Sequence, residues 1–157
     1  MKDEYNMDEK LLIEKGFLPL SGKNWNIIEI NHHKPETETE RTETRKYIKE
    51  SIGSINGIYV YEQDNKILYV GKGKPIYRRV RNRYKRCYYY DKTTSIKQCA
   101  FWSLHRGIVK VYYKELEGED DRKKIETSMQ KILKPIYEVF KKSHTEETAK
   151  AILKANS

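Results

Sequence analysis

The segment from Gly57 to Gly71 constrains the fold of this 157-residue chain more than any other. It contains two runs rich in β-branched and aromatic residues, and a polar cluster at residues 63–66 separates them. This pattern predicts a β-hairpin. Asp64 and Asn65 suit its tight connection, because both residue types tolerate a positive φ angle.

Two tyrosines in this hairpin lead to a prediction about its geometry. Side chains alternate between the two faces of a sheet along each strand. A two-residue turn at Asp64 and Asn65 in a regular hairpin would therefore put Tyr59 and Tyr69 on opposite faces. We expect a β-bulge or a loop with an odd number of residues, so that both rings share one face.

The tripeptides Gly57-Ile58-Tyr59 and Tyr69-Val70-Gly71 form the signature of the GIY-YIG nucleases, and this stretch resembles that family. Four later residues follow in the family's order and at similar spacings, namely Lys72, Arg79, Glu126 and Pro135. The resemblance covers roughly residues 54–142. It implies an α/β fold of the GIY-YIG type, a sandwich with a three-stranded antiparallel sheet flanked by helices.

The charge of the chain is divided unevenly along its length. Residues 1–56 contain nine Lys or Arg against eleven Asp or Glu, whereas the remainder contains 23 against 12. The positive excess therefore lies in the part that resembles the nuclease, and such a domain attracts polyanions. We predict an N-terminal extension at residues 1–50 and a GIY-YIG nuclease domain with a C-terminal helix at residues 51–157.

The N-terminal extension is predicted to contain a short helix within residues 8–16 and a strand near residues 25–30. Residues 35–43 are polar and low in complexity. They form either a mobile linker or the start of a helix that continues through residues 44–49.

The histidines and cysteines do not suggest a structural metal site or a disulfide framework. His32 and His33 are adjacent, so on a strand they point to opposite faces and make a poor pair of ligands. We interpret both as exposed to solvent. Cys87 and Cys99 match no metal-binding spacing, and we interpret them as reduced, buried thiols.

A basic helix is predicted directly after the hairpin, from Ile76 to about Tyr89, with Pro75 at its first position. Apolar residues that recur at helical spacing should face the core, namely Ile76, Val80, Tyr84 and Cys87. Arg79 lies about 60° round the helix from Ile76, at the edge of this buried stripe. Its side chain can reach from there into a cleft.

The same region is rich in cations. Residues 71–87 contain eight basic residues and no acidic one, which favours a phosphate-binding surface over a merely solvated face. The candidate nucleic-acid-binding residues are Lys74, Arg78, Arg81, Arg83 and Arg86.

Further elements are predicted towards the C-terminus. A helix should begin at Thr94 or Ser95, and a strand should follow at residues 108–116. Another helix should end before Pro135, and Thr145 should begin a closing helix. In the helix before Pro135, Glu126 points close to the apolar stripe. A buried carboxylate requires a partner, and a divalent metal ion is a suitable one.

The resemblance also implies roles for individual residues in metal-dependent phosphodiester hydrolysis. Glu126 would hold Mg²⁺, for which Mn²⁺ substitutes, and Arg79 would hold phosphate oxygens. Tyr59 would act as a general base, which requires metal or cations to lower its reference pKa of about 10. Tyr69 would position phosphate or water. Lys72 would stabilise the same transition state or help to lower the tyrosine pKa.

Two positions depart from the family's pattern. An asparagine usually follows the proline by three residues, whereas here Glu138 follows Pro135. Three interpretations of Glu138 are open. It takes over the orienting hydrogen bond as a catalytic residue, or it joins Glu126 at the metal, or it marks a weakened or inactive site. Arg83 holds the place at which some restriction-type members carry a histidine.

These observations predict a metal-dependent DNA endonuclease, restriction-like or phage-encoded, that cuts double-stranded DNA. Two alternatives are a non-catalytic DNA-binding module and a nuclease for branched DNA or structured RNA. The sequence has no apolar run that would span a bilayer and no signal-peptide pattern, so we expect a cytoplasmic protein without membrane contact. Monomer and homodimer both remain open, and cutting two strands with one active site favours a dimer.

Overall fold

A four-stranded antiparallel sheet lies at the centre of the fold, and helices cover both of its faces. The computed structural model describes residues 8–90 and 95–156. The strands are β1 (Asn26–His32), β2 (Gly57–Gln63), β3 (Lys66–Gly73) and β4 (Gly107–Glu115), in the spatial order β1-β4-β2-β3. The protein is therefore an α/β protein, but its sheet has four strands instead of the predicted three.

Seven helices occur in the described residues. They are α1 (Glu9–Glu14), α2 (Glu38–Ile52), α3 (Ile76–Arg86), α4 (Ile96–Leu104), α5 (Glu119–Leu133), α6 (Ile136–Ser143) and α7 (Glu146–Ala155). Within the described part of the chain, no helix has the length and apolar character that crossing a membrane requires.

The additional strand, β1, comes from the predicted N-terminal extension. It pairs with β4 along its whole length, from Asn26 opposite Tyr113 to His32 opposite Gly107. Helix α2 then continues past residue 50, so the predicted domain boundary lies inside a helix. Of the two alternatives for residues 35–43, the helix is correct for residues 38–43, because these belong to α2.

The core is divided between the two faces of the sheet because successive strand residues alternate in direction. On one face, Tyr59 and Tyr61 of β2 pack with buried side chains of α2, α3 and α4. On the other face, Ile58 and Val60 pack with α1 and α5. Tyr59 thus points towards the basic helix α3, as an active-site role for the two tyrosines would require.

The helix ends are close to those that the sequence predicts. Pro75 precedes α3 as its N-cap residue instead of occupying the first helical position. The side chain of Ser95 caps α4, whereas Thr94, the alternative start, lies outside the described residues. Thr145 caps α7 as predicted. The predicted buried face of α3 is confirmed, since all four of its apolar residues are fully buried.

His32 is fully buried, so the prediction that it is exposed is wrong. Its ring packs against Tyr61, Tyr84 and Trp102, at centroid distances of 5.8, 6.2 and 5.5 Å. Neither ring nitrogen has a hydrogen-bond partner among the described residues. Burial lowers the pKa of His32 from 6.5 to about 3, so the ring is neutral at physiological pH.

The burial of a neutral histidine predicts that the protein loses stability in acid. His32 binds a proton in the unfolded chain below pH 6.5, but in the folded chain only near pH 3. The free energy of unfolding should therefore fall as the pH falls through this window, by about 1.4 kcal/mol per pH unit from this one group. Urea denaturation at a series of pH values measures the slope.

Variants of the two adjacent histidines test the assignment. In His32→Leu the slope of unfolding free energy against pH should become shallower by that amount. His33→Gln is the matched control, because it retains the buried ring and should retain its contribution to the slope. His32→Phe serves if the leucine variant does not fold. The same slope in the wild type and in both His32 variants would contradict the prediction.

Candidate active site at the edge of strand β3

A β-bulge brings two tyrosines of the hairpin to one face of the sheet. The turn has two residues, 64–65, both with positive φ. A register shift between Tyr61 and Glu62 then gives β3 one extra residue. The rings of Tyr59 and Tyr69 stack with centroids 6.0 Å apart and planes inclined by 16°. The prediction of a bulge and a shared face is confirmed.

Close packing explains the glycines of both tripeptides, against the tyrosine rings at Gly71 and against the backbone near the end of β4 at Gly57. Gly71 lies opposite Tyr59 in the hairpin. A Cβ atom at Gly71 would lie 2.5 Å from Cζ and Oη of Tyr59 and 2.9 Å from Cε1 of Tyr69. A Cβ atom at Gly57 would lie 1.9 Å from the carbonyl oxygen of Lys114. Neither position has room for a side chain.

Arg83 connects the hydroxyl groups of the two tyrosines. Its Nη2 donates hydrogen bonds to Tyr69 Oη at 2.9 Å and to Tyr59 Oη at 3.3 Å. The guanidinium also lies over the Tyr69 ring, 4.8 Å from the centroid. The residue is only 4% exposed. Arg83 is therefore buried against the two phenols, in the region that we call the cleft, and does not belong to an exposed phosphate-binding surface with the other predicted arginines.

Helical spacing is the signal that could have identified this position. Arg83 lies three residues after Val80 and seven after Ile76 on α3, which puts it within the buried stripe. The density of charge around it made an exposed position the simpler interpretation.

The charge of Arg83 has no anionic partner in the described part of the chain. No carboxylate there lies within ion-pair distance of its guanidinium, and its Nε has no hydrogen-bond partner. A buried cation without an anion is energetically costly. An anion that entered the cleft would offset this cost, so the cleft is suited to binding one.

Glu126 reaches the cleft from the other side of β3. Helix α5, which carries it, is fastened to the strand by a hydrogen bond of 3.0 Å from Gln130 Nε2 to the carbonyl oxygen of Val70. Burial raises the pKa of Glu126, and the neighbouring charge of Glu138 raises it further. The ammonium of Lys72, together with its backbone N–H, opposes this rise.

The charge of Arg79 also lowers the pKa of Glu126. The pKa of Tyr59 is in turn lowered by the charge of Arg79 and raised by that of Glu126, so the three groups lie close together in the cleft. Burial raises the pKa of Tyr59 well above its ordinary value, and the charges of Arg83 and Arg79 only partly offset this. The phenol is therefore neutral at physiological pH. For Tyr59 to act as a general base its pKa would have to be lowered, and the side chains of the protein alone do not lower it.

A small pocket of about 120 Å³ opens beside these groups, where β3 ends. Its lining includes the cations Lys72, Lys74 and Arg79 and one carboxylate, Glu119. Arg122 also lines the pocket, and it donates hydrogen bonds to the carbonyl oxygens of Leu116 and Glu117. The pocket is thus lined mainly by cations, as a site for a phosphate group would be.

Glu138 is the second carboxylate of the cleft. It forms an ion pair with Lys141 at 3.0 Å, and its charge is close enough to raise the pKa of Glu126. Among the described residues, no group of three or more His, Cys, Asp or Glu side chains is arranged to hold a metal ion. Mg²⁺ is commonly held by one or two carboxylates, with water and phosphate oxygens as the other ligands. Glu126 and Glu138 therefore fit a Mg²⁺ ion shared with a substrate.

The five candidate nucleic-acid-binding residues do not lie on one surface. Lys74 and Arg78 are exposed, and Lys74 lines the small pocket at the end of β3. Arg81 lies on the flank of α3 that faces α2. Arg86 is half-buried and donates a hydrogen bond to Gln98. With Arg83 buried against the tyrosines, the five residues are thus distributed over several environments in and around α3.

No protein-family model, curated protein or solved structure matches this chain.

The packing at Gly71 predicts a large effect of a single methyl group. In Gly71→Ala, the added Cβ should displace the Tyr59 ring and destabilise the protein by about 1–3 kcal/mol, as overpacking of a core does. Chemical denaturation measures this loss, and the near-ultraviolet circular dichroism of the tyrosines reports the displaced ring.

Gly22→Ala is the matched control, because the nearest atom to a Cβ at that position is Ile27 Cδ1 at 3.8 Å, an ordinary contact. Equal stability of the two variants would show that the rings do not close over Gly71.

Proposed function

We propose that this protein is a metal-dependent endonuclease that hydrolyses phosphodiester bonds of double-stranded DNA in the cleft beside β3. The observation that supports this most directly is the convergence of a tyrosine pair, three cations and a partly buried carboxylate. Of these, Arg83 is a buried cation without an anion among the described residues, and a phosphodiester is an anion that would fill that role.

The cations would bind the scissile phosphate and stabilise the charge that develops on it. Arg79 and Lys72 border the small pocket at the end of β3. Arg83 approaches from the tyrosine side, where its hydrogen bonds to two phenols fix its position. Fixed cations in a partly buried site stabilise a transition state more than mobile ones in water do.

Tyr59 would act in this scheme as a neutral phenol. Its oxygen accepts a hydrogen bond from Arg83, so its own proton is directed to another group. That proton can be donated to a phosphate oxygen or can orient the attacking water. Transfer of a proton from water to Tyr59 would need additional positive charge in the substrate complex, because burial raises its pKa.

Glu126 would hold Mg²⁺ in the presence of substrate, with Glu138 as its carboxylate neighbour. When bound, the metal supplies Lewis-acid stabilisation of the phosphate oxygens and a water molecule of lowered pKa. Ionised Glu126 is the form that binds it. The backbone N–H of Lys72 and the charge of Arg79 favour that form.

A second candidate function is a DNA-binding module without catalysis. The observation that favours it is the position of Glu138, where an anion replaces the amide usual in the family and pairs with Lys141. A third candidate has the same chemistry on branched DNA or structured RNA, whose phosphodiesters present the same groups to the cleft. Cleavage and binding assays on plasmid, linear duplex, DNA forks and hairpin RNA distinguish all three.

Glu126→Gln and Arg79→Ala should each reduce the rate of Mg²⁺-dependent plasmid cleavage by roughly a hundredfold or more, because each removes a charge that acts on the transition state. Glu29→Gln on β1 at the opposite edge of the sheet is the matched control and should cut like the wild type. The substrates are plasmid, linear duplex, DNA forks and hairpin RNA, with EDTA as the metal-free control.

Equal cleavage by the wild type and by both cleft variants would refute the proposal, since it would come from a contaminating nuclease. Binding of duplex DNA without cutting under any metal would support the non-catalytic module. Faster cleavage of forks or RNA than of linear duplex would support the third candidate.

The influence of Glu138 on Glu126 predicts the pH dependence of cleavage. The carboxylate of Glu138 raises the pKa of Glu126, and activity requires Glu126 to be ionised. Activity should therefore fall as the pH is lowered through that pKa. Glu138→Gln removes the neighbouring charge and should move this acid limb to lower pH, which a profile of log kcat/KM against pH measures.

Lys141→Gln is the control for loss of the ion pair without loss of Glu138. It should not move the acid limb to lower pH. An acid limb that is unchanged in Glu138→Gln would show that the limb does not report the ionisation of Glu126.

A further inference from the structure

Helix α2 carries three cations along one of its sides, and Glu38 at the N-terminal end of that side pairs with Arg41. Arg41, Arg45 and Lys49 are spaced four residues apart, which aligns them along one side of the helix. Glu43 and Glu50 lie on another side, about 100° or more away from Arg45 and Lys49. The balanced charge of residues 1–56 therefore conceals a continuous cationic stripe.

The stripe forms one wall of a groove between α2 and α3. This α2–α3 groove has a volume of about 360 Å³ and is lined by Arg41, Thr42, Arg45, Lys46, Lys49 and Arg81. Arg81 comes from α3 and faces the stripe. Both Arg81 and Lys49 lie over the ring of Tyr77. The guanidinium carbon of Arg81 is 5.6 Å from the ring centroid, and the ammonium nitrogen of Lys49 is 5.5 Å from it. Five cationic side chains thus converge on one concave surface.

The protein offers these charges little compensation. Arg41 pairs with Glu38, and Lys46 lies 3.9 Å from Glu50, both at exposed positions. Among the described residues, no carboxylate lies within ion-pair distance of Arg45, Lys49 or Arg81.

Like charges at this spacing repel one another and destabilise a helix. The repulsion is visible at Arg81, whose pKa is lowered by partial burial and then by the charges of Arg45 and Arg78. A bound polyanion would therefore stabilise this concave surface, because three of its five cations have no carboxylate within ion-pair distance among the described residues.

We propose that the α2–α3 groove binds the phosphate backbone of duplex DNA at a distance from the cleft. This inference rests on the proposed function, because it assumes that the polyanion in the groove is also the substrate of the cleft. Phosphates fit the groove because five of its six lining residues are cations and the sixth, Thr42, carries a hydroxyl group.

The position of α3 supports a shared substrate. Arg79 and Arg83 face the cleft, and Arg81 lies about 200° round the helix from each of them, facing the groove. Arg78 and Lys85 lie on the crest between the two. A helix of about 10–12 Å diameter fits the DNA major groove, which is about 12 Å wide. With α3 in that position, one strand would meet the cleft and the other would meet the α2–α3 groove.

The salt dependence of DNA binding tests the proposal without requiring cleavage. Fluorescence anisotropy with a labelled duplex of about 25 base pairs, in EDTA and at a series of NaCl concentrations, gives the slope of log K against log salt concentration. In the double variant Arg45→Gln/Lys49→Gln, the slope should become shallower by about two, since each lost phosphate contact contributes about 0.9. The affinity should fall about tenfold or more at 0.1 M salt, within the range expected for two such contacts.

A control with the same loss of charge is available on another part of the surface. Lys10→Gln/Lys23→Gln removes two exposed lysines from α1 and from the turn before β1. Its slope should stay close to that of the wild type. The groove variant should also unfold at the same temperature as the wild type or a higher one, because the substitutions relieve repulsion.

The outcomes separate this inference from the nuclease proposal. Equal slopes for the wild type and the groove variant would overturn the groove as a phosphate site. A groove-dependent slope in a wild type that cuts no DNA under any metal would refute the nuclease and uphold the groove. Polyglutamate or single-stranded RNA that bound more tightly than the duplex, with the same loss in the groove variant, would overturn duplex DNA as its partner.

Discussion

The hydrogen bonds from Arg83 to the two stacked phenols are the interaction on which the candidate site depends. They are possible only because the bulge in β3 turns Tyr69 to the face of Tyr59, and because Gly71 leaves room beneath both rings. In this way an irregularity of one residue in a strand determines the geometry of the site. The same irregularity positions the two phenols that hold the buried guanidinium of Arg83, to which an anion could bind.

Local patterns in the sequence predicted the hairpin, the basic helix, strand β4 and the proximity of the tyrosines. These features depend on periodicity and on turn residues, which act between near neighbours. The strand predicted near residues 25–30 is confirmed as β1, but its place in the sheet depends on a pairing with β4, about 80 residues further along the chain, and no local signal specifies that partner. The burial of His32 follows from the same long-range pairing, because β1 turns that ring towards Trp102.

Helix α3 relates the cleft to the remainder of the surface. Its buried stripe fastens it to the sheet, its flank with Arg79 and Arg83 borders the cleft, and its other flank with Arg81 borders α2. The density of cations that suggested one phosphate-binding surface is thus distributed over separate environments. The total charge of α3 does not reveal this distribution. The angular position of each cation around the helix axis does.

Strand β3 is an edge of the sheet, and such an edge presents unpaired amides and carbonyls to which a strand of another molecule can add. Helix α5 covers this edge, with Gln130 bound to the carbonyl of Val70 and Glu126 beside the N–H of Lys72. Gln130 and Glu126, which help to form the cleft, therefore also cover backbone groups through which β3 could pair with another molecule. A substitution that detaches α5 would disrupt the site and would also expose the unpaired backbone amides and carbonyls of β3, which promote aggregation.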